Sequence, residues 1–188
     1  MKKIILILFL IIFGANVSSA FEPDYRQIYL NMDVPKFSYM HGLDPGQYYD
    51  NKSSTWSPYP LFRLSSVLYF KSITIHPGYY LLTPTVHKGA DYLLMKENGM
   101  VRYIIPIYQK ELVPEGFYEA HITQPKLLVT QRIYKNVVNF VGTHFKRAQK
   151  KPTPASYLEV NDIDNNFVSI VVYYGPYRYY TIFRTVQL

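Results

Sequence analysis

The chain has 188 residues, a formal net charge of +7 and no cysteine. Thiol catalysis, thiolate metal sites, disulfide bracing and lipid attachment at a cysteine are therefore excluded. The length suits one domain with a core large enough to fold without such bracing.

Residues 1–20 read as a leader. Lys2 and Lys3 form a basic start, Ile4 to Phe13 is an unbroken apolar run, and Ser18 and Ala20 occupy the −3 and −1 positions of a cleavage site. That is the pattern of a secretory signal peptide. The apolar run is shorter than the roughly 20 residues needed to span a bilayer. Cleavage after Ala20 is expected, leaving 21–188 as a secreted or periplasmic chain with no transmembrane segment.

Residues 21–60 read as an extended arm rich in proline and tyrosine. Pro23, Pro35, Pro45, Pro58 and Pro60 interrupt any periodicity, and only Asp24 to Asn31 suggests a short helix. Trp56, Tyr48 and Tyr49 are expected to pack this arm against the rest of the protein.

Residues 61–188 read as a β-rich domain. Val67 to Ile75 alternates as one strand, broken at His76-Pro77-Gly78; Tyr79 to Thr83 resumes a strand that Pro84 stops. The stretch SITIHPGYYLLTP resembles the strand, Pro-Gly turn and aromatic strand of many secreted β-sandwich modules, and implies no activity. Asn98-Gly99 predicts a type I′ turn, because both central residues of that turn need positive φ. It joins Tyr92–Lys96 to Val101–Tyr108. Pro106 has no N–H and so places its end of the strand at an edge or a bulge.

The segment QRIYKNVVNFVGTHFKRAQKK, Gln131 to Lys151, predicts a basic amphipathic helix over about 130–150. At 100° per residue, Ile133, Tyr134, Val137, Val138, Phe140, Val141, His144, Phe145 and Ala148 share an arc of roughly 160°. Between Glu119 and Glu159 there is no acid, while Lys126, Arg132, Lys135, Lys146, Arg147, Lys150 and Lys151 are all cationic. The basicity of the protein is thus one local block. The helix is expected to lie on the sheet with Val137, Phe140, Val141 and Phe145 buried. Arg132, Lys135, Lys146, Arg147, Lys150 and Lys151 are the candidate site, facing an anionic envelope surface or polysaccharide; nucleic acid is not expected. Insertion of the helix in a membrane interface is the more extreme form of the same idea.

Ser156–Val160, Phe167–Tyr174 and Tyr177–Val186 read as strands, the last two joined at Gly175-Pro176, because Val, Ile, Tyr, Phe and Thr dominate them. The fold class is α+β: predominantly antiparallel β, a sandwich or partly open barrel, with one main amphipathic helix packed on the sheet.

No nucleophile elbow, zincin, phosphate-loop or dinucleotide pattern is present, so no catalytic residue, metal or cofactor is predicted. His87 with Asp91 is the nearest approach to a shared proton or metal. Glu119 and His121, beside Glu115, would share one face if their segment is a strand. Asp162, Asp164 and Asn166 have the spacing of a calcium loop, but Phe167 and Tyr173 stand where that loop needs Gly and Glu. The 20 tyrosines suit sheets, with a carbohydrate or peptide surface as the exception. The resulting expectation is an exported, non-enzymatic binding or envelope-associated protein. The alternatives are a hydrolase with a dispersed site and a small-ligand carrier. A tyrosine-lined groove, a His–carboxylate cleft and a closed apolar cavity would separate the three. Mass spectrometry of exported material should find Phe21 at the N-terminus; an intact Met1–Ala20 segment would refute the leader.

Overall fold

The computed structural model describes residues 23–39, 59–122, 130–131, 133–134, 136–137, 154–163 and 166–187. Residues 1–22 and 40–58, with the expected leader and with Trp56, Tyr48 and Tyr49, lie outside them.

Helix α1, Tyr25–Asn31, is capped by Asp24, whose side chain accepts a hydrogen bond from the Gln27 amide at 3.0 Å. This satisfies one of the amides left free in a first helical turn. Ten strands follow: β1 Leu61–Leu64, β2 Leu68–Phe70, β3 Ile73–Ile75, β4 Gly78–His87, β5 Ala90–Glu97, β6 Met100–Pro106, β7 Gln109–Leu112, β8 Ser156–Ile163, β9 Phe167–Tyr174 and β10 Tyr177–Arg184. A five-residue helix α2, Phe117–His121, separates β7 from β8. The strands form two antiparallel sheets. One has the order β1-β4-β5-β6; the other has the order β3-β2-β10-β9-β8, with β7 also paired to β10.

Register decides which side chains meet. In β9 and β10, Tyr179 opposes Val172, Thr181 opposes Ile170 and Phe183 opposes Val168. Opposed residues of an antiparallel pair share a face, and this face joins Tyr80, Leu82, Leu93, Met95 and Ile105 of the first sheet in one core. The other face of the second sheet carries Phe167, Ile182, Val171, Tyr180, Tyr173 and Arg178. Helix α1 closes one end of it, where the Tyr29 ring meets Phe167 at 5.3 Å. Helix α2 closes the other end, where Phe117 stacks on Tyr173 at 4.2 Å.

The Asn98-Gly99 hairpin is present, with φ of 50° and 79°, and a bulge between Met95 and Lys96. Pro106 ends the edge strand β6, as its missing donor requires. Two expectations are corrected. Val67–Ile75 is not one strand: it turns at Lys71, φ 50°, into the β2–β3 hairpin. Tertiary contacts hold that turn, because the Lys71 amide donates to the Tyr29 hydroxyl (2.6 Å) and its ammonium donates to the Leu30 carbonyl (2.9 Å). Nor does Pro84 stop β4. The Leu82 amide points toward β1 and donates to the Pro60 carbonyl. Pro84, two residues on, therefore turns its donor-free nitrogen to the same side, beyond the start of β1 at Leu61. An edge position of this kind tolerates proline.

The basic segment is corrected as well. Thr130, Gln131, Ile133, Tyr134, Asn136 and Val137 are helical, and all six are exposed. Val137 was expected to be buried and is 54% exposed. A helical arc at 100° per residue says which side chains share a face, not that a sheet lies beneath them. Phe140, Val141 and Phe145 lie outside the described residues.

Gly99→Val should destabilise the protein by roughly 1–2 kcal/mol, because a β-branched residue resists positive φ. Chemical denaturation of the variant checks this.

Candidate functional site

A recessed open surface forms where the extended chain after α1 crosses the tip of the β4–β5 hairpin. Lys88 and Gly89, with φ of 50° and 85°, make the tip. Positive φ at both central residues is the geometry of a type I′ turn, which matches the twist of the flanking strands. His87 and Tyr92 thus come to stand beside Phe37. The Phe37 ring stacks flat on His87 (3.9 Å, 10°) and meets Tyr92 edge-on (5.0 Å, 76°). Tyr39 adds a further edge contact at 6.0 Å. Asp33, Lys36 and Lys88 stand around these rings, and the groove holds about 500 Å³. That is within the range of about 300–1,000 Å³ usual for ligand sites. A second groove of about 340 Å³ shares Ala90, Tyr92 and Pro106 with the first and continues to Lys110. There the Lys110 ammonium pairs with Asp91 at 3.0 Å and lies over the Tyr177 and Tyr179 rings at 4.8 and 5.4 Å.

This arrangement can stack the faces of a ring-shaped ligand and pair with its anions. It is not an acid–base pair. His87 opposes Ala90 across the hairpin, so Asp91, the next residue, points to the opposite face. Glu119 and His121 are likewise separated, because their segment is helix rather than strand and a two-residue step turns by about 200°. The His121 ring instead stacks on Phe117 at 4.1 Å. Its Nδ1 donates to the Phe117 carbonyl at 2.8 Å. Among the described residues, no group of three or more His, Asp or Glu side chains could hold a metal ion. Arg132, Lys135, Lys146, Arg147, Lys150 and Lys151 lie outside the described residues.

The groove was not legible beforehand. Lys36, Phe37, Lys88 and Tyr92 belong to two segments far apart in the chain. The available signal was the His-Lys-Gly-Ala stretch between two alternating runs, which is weaker than Asn-Gly and was masked by reading Pro84 as a stop.

Beyond the grooves, β7 and β10 bear a polar network on the outer face of their sheet. Tyr180 donates to the Glu111 carboxylate at 3.0 Å, Gln109 donates to it at 2.6 Å, and Arg178 pairs with it. Burial pushes the Tyr180 hydroxyl up, and the hydrogen bond to Glu111 pushes it further. Burial also pushes Glu111 upward, but the hydrogen bonds from Tyr180 and Gln109 and the Arg178 charge outweigh it and hold the carboxyl below its ordinary value.

Comparison with known proteins finds no matching family, no matching curated protein and no matching solved structure.

The network generates a pH prediction. A tyrosine held above its ordinary value of 10.0 keeps its proton in the folded state after the unfolded chain has lost it. Its contribution is full below pH 10.0 and is lost as pH rises further. A carboxyl held below 4.5 acts in the opposite sense, contributing above that pH and losing its effect as pH falls. Buried Tyr80, pushed up to about 12 by burial and then by Tyr103, adds to the alkaline flank. Denaturation across pH should show stability falling on both sides. Tyr180→Phe should make both flanks shallower without flattening the alkaline one.

Proposed function

We infer that this chain is an exported, non-enzymatic binding module whose aromatic groove takes a segment of acidic polysaccharide. The observation that carries the reading is the Phe37–His87–Tyr92 cluster, open to solvent and flanked by exposed Lys36 and Lys88. Aromatic rings stack on the C–H faces of sugars, and ammonium groups pair with carboxylate or phosphate substituents. The leader supports an extracytoplasmic setting, where such polymers occur. The groove is a surface channel rather than a closed apolar cavity, which favours a polymer passing through it over an enclosed small ligand. His87 and His121 each lie against a phenylalanine ring, which suits stacking more than proton transfer. Among the described residues no helix is long and apolar enough to cross a membrane.

Affinity electrophoresis of the 21–188 chain through polygalacturonate, with dextran as the neutral comparison, tests this. Retardation by polygalacturonate should fall about tenfold in Phe37→Ala, the loss of roughly one stacking contact. The double change of Lys36 and Lys88 to Gln should remove the preference for the acidic polymer. Equal retardation of the parent and Phe37→Ala would overturn the reading, as would no retardation of the parent at low salt.

A further inference from the structure

The groove of about 340 Å³ that adjoins the aromatic one shares Ala90, Tyr92 and Pro106 with it. One wall is the connection from Pro106 to Lys110, where the chain leaves the first sheet for the second. Backbone bonds pin this connection on both sides. The Ile107 amide donates to the Asp91 carbonyl at 3.1 Å, and the Tyr108 amide donates to the Tyr180 carbonyl at 3.1 Å. The wall is therefore in place before a ligand arrives, which spares binding the cost of ordering it. A polymer seated on Phe37 and Tyr92 in the first groove would extend past Tyr92 into the second.

The two grooves differ in charge. Lys36 and Lys88 line the first against the single carboxylate of Asp33, which leaves a surplus cation. Lys110 and Asp91 line the second, with no surplus. The Lys110 ammonium donates to the Asp91 carboxylate at 3.0 Å and lies over the Tyr177 and Tyr179 rings at 4.8 and 5.4 Å. A cation already held by a carboxylate and by ring faces gains little from another anion. An incoming carboxylate would also meet the Asp91 charge. The pair still has hydrogen bonds to offer, because an ammonium has more N–H donors, and a carboxylate more acceptor positions, than this one bond uses. Both side chains are partly open to solvent, Lys110 at 32% and Asp91 at 26%. A donor and an acceptor fixed side by side match hydroxyl groups, which do both.

We propose that the second groove is a subsite for a neutral, hydroxyl-bearing sugar held by Asp91 and Lys110, so that the ligand is a polysaccharide in which acidic and neutral sugars alternate. This rests on the aromatic groove as a polysaccharide site and specifies which polymer it takes.

Affinity electrophoresis of the 21–188 chain tests it, through hyaluronate and polygalacturonate at equal uronate concentration. Glucuronate alternates with N-acetylglucosamine in the first polymer, and every residue is acidic in the second. The parent should be retarded more by hyaluronate. Asp91→Asn removes the charge that repels a carboxylate and weakens the acceptor for a hydroxyl, since hydrogen bonds to an ionised group are about twice as strong as neutral ones. It should lose about fivefold in affinity for hyaluronate and gain affinity for polygalacturonate. A mere increase in net positive charge would strengthen both, and that result would overturn the proposal. Stronger retardation of the parent by polygalacturonate would overturn it too. Lys110→Gln, at an exposed position, gives an independent reading should Asp91→Asn lower the Tm. It should also weaken binding to hyaluronate about fivefold, and unchanged binding would count against the subsite. If Phe37→Ala weakens binding to both polymers while Asp91→Asn alters neither, the aromatic groove stands and the second subsite fails. Absence of parent retardation by either polymer at low salt would overturn both.

Discussion

Strand β9 sets the constraint on which the rest of the fold depends. Seven consecutive residues, Phe167 to Tyr173, are buried. Alternation in a strand sends them to both faces, so each face must be covered. The first sheet covers one, with Leu82, Leu93, Met95 and Ile105 meeting Val168, Ile170 and Val172. The helices at the two ends of the strand help to cover the other. Each fully buried large apolar side chain contributes about 1.5–3 kcal/mol, which makes this one strand a main source of stability. The central pairing of β9 with β10 and β8 then fixes where α1, α2 and β7 can dock.

The tyrosines join these layers. Their rings fill space between layers while their hydroxyls secure the backbone of connections. Tyr29 accepts from the Lys71 amide at 2.6 Å, Tyr80 donates to the His76 carbonyl at 2.8 Å, and Tyr118 donates to the Gly175 carbonyl at 2.8 Å. Tyr173 and Tyr180 instead donate to Glu159 and Glu111. A buried ring with an unsatisfied hydroxyl would be costly, so these partners are what permits so much tyrosine inside a protein without disulfides. Phe37, at the groove, has no polar atom to satisfy.

The groove is shaped by a tight hairpin and an arm that crosses it, and its rings are held by one another. It would select by ring geometry and placed charge.

Local steric preference was readable without the structure. Asn98-Gly99 can hardly be anything but a tight turn, Asp24 to Asn31 suggests a short helix, and the β-branched and aromatic runs of β9 and β10 admit little except strand. Each depends on residues within a few positions of one another. Pro84 misled because proline blocks a strand only on the side where a partner needs its N–H, and which side is free depends on where β1 starts. Lys71 misled because a lysine with positive φ is held there by Tyr29, far away in the chain. Helical periodicity established that Ile133 and Val137 share a face, but not whether another element lies there to bury it. By itself the sequence determined a β-rich, cysteine-free chain with a basic block, and several of the places where it turns. Tertiary structure alone decided the strand order, the Phe37–His87–Tyr92 groove and the exposure at Val137, because each rests on contacts between segments whose separation in the chain leaves no local preference to read.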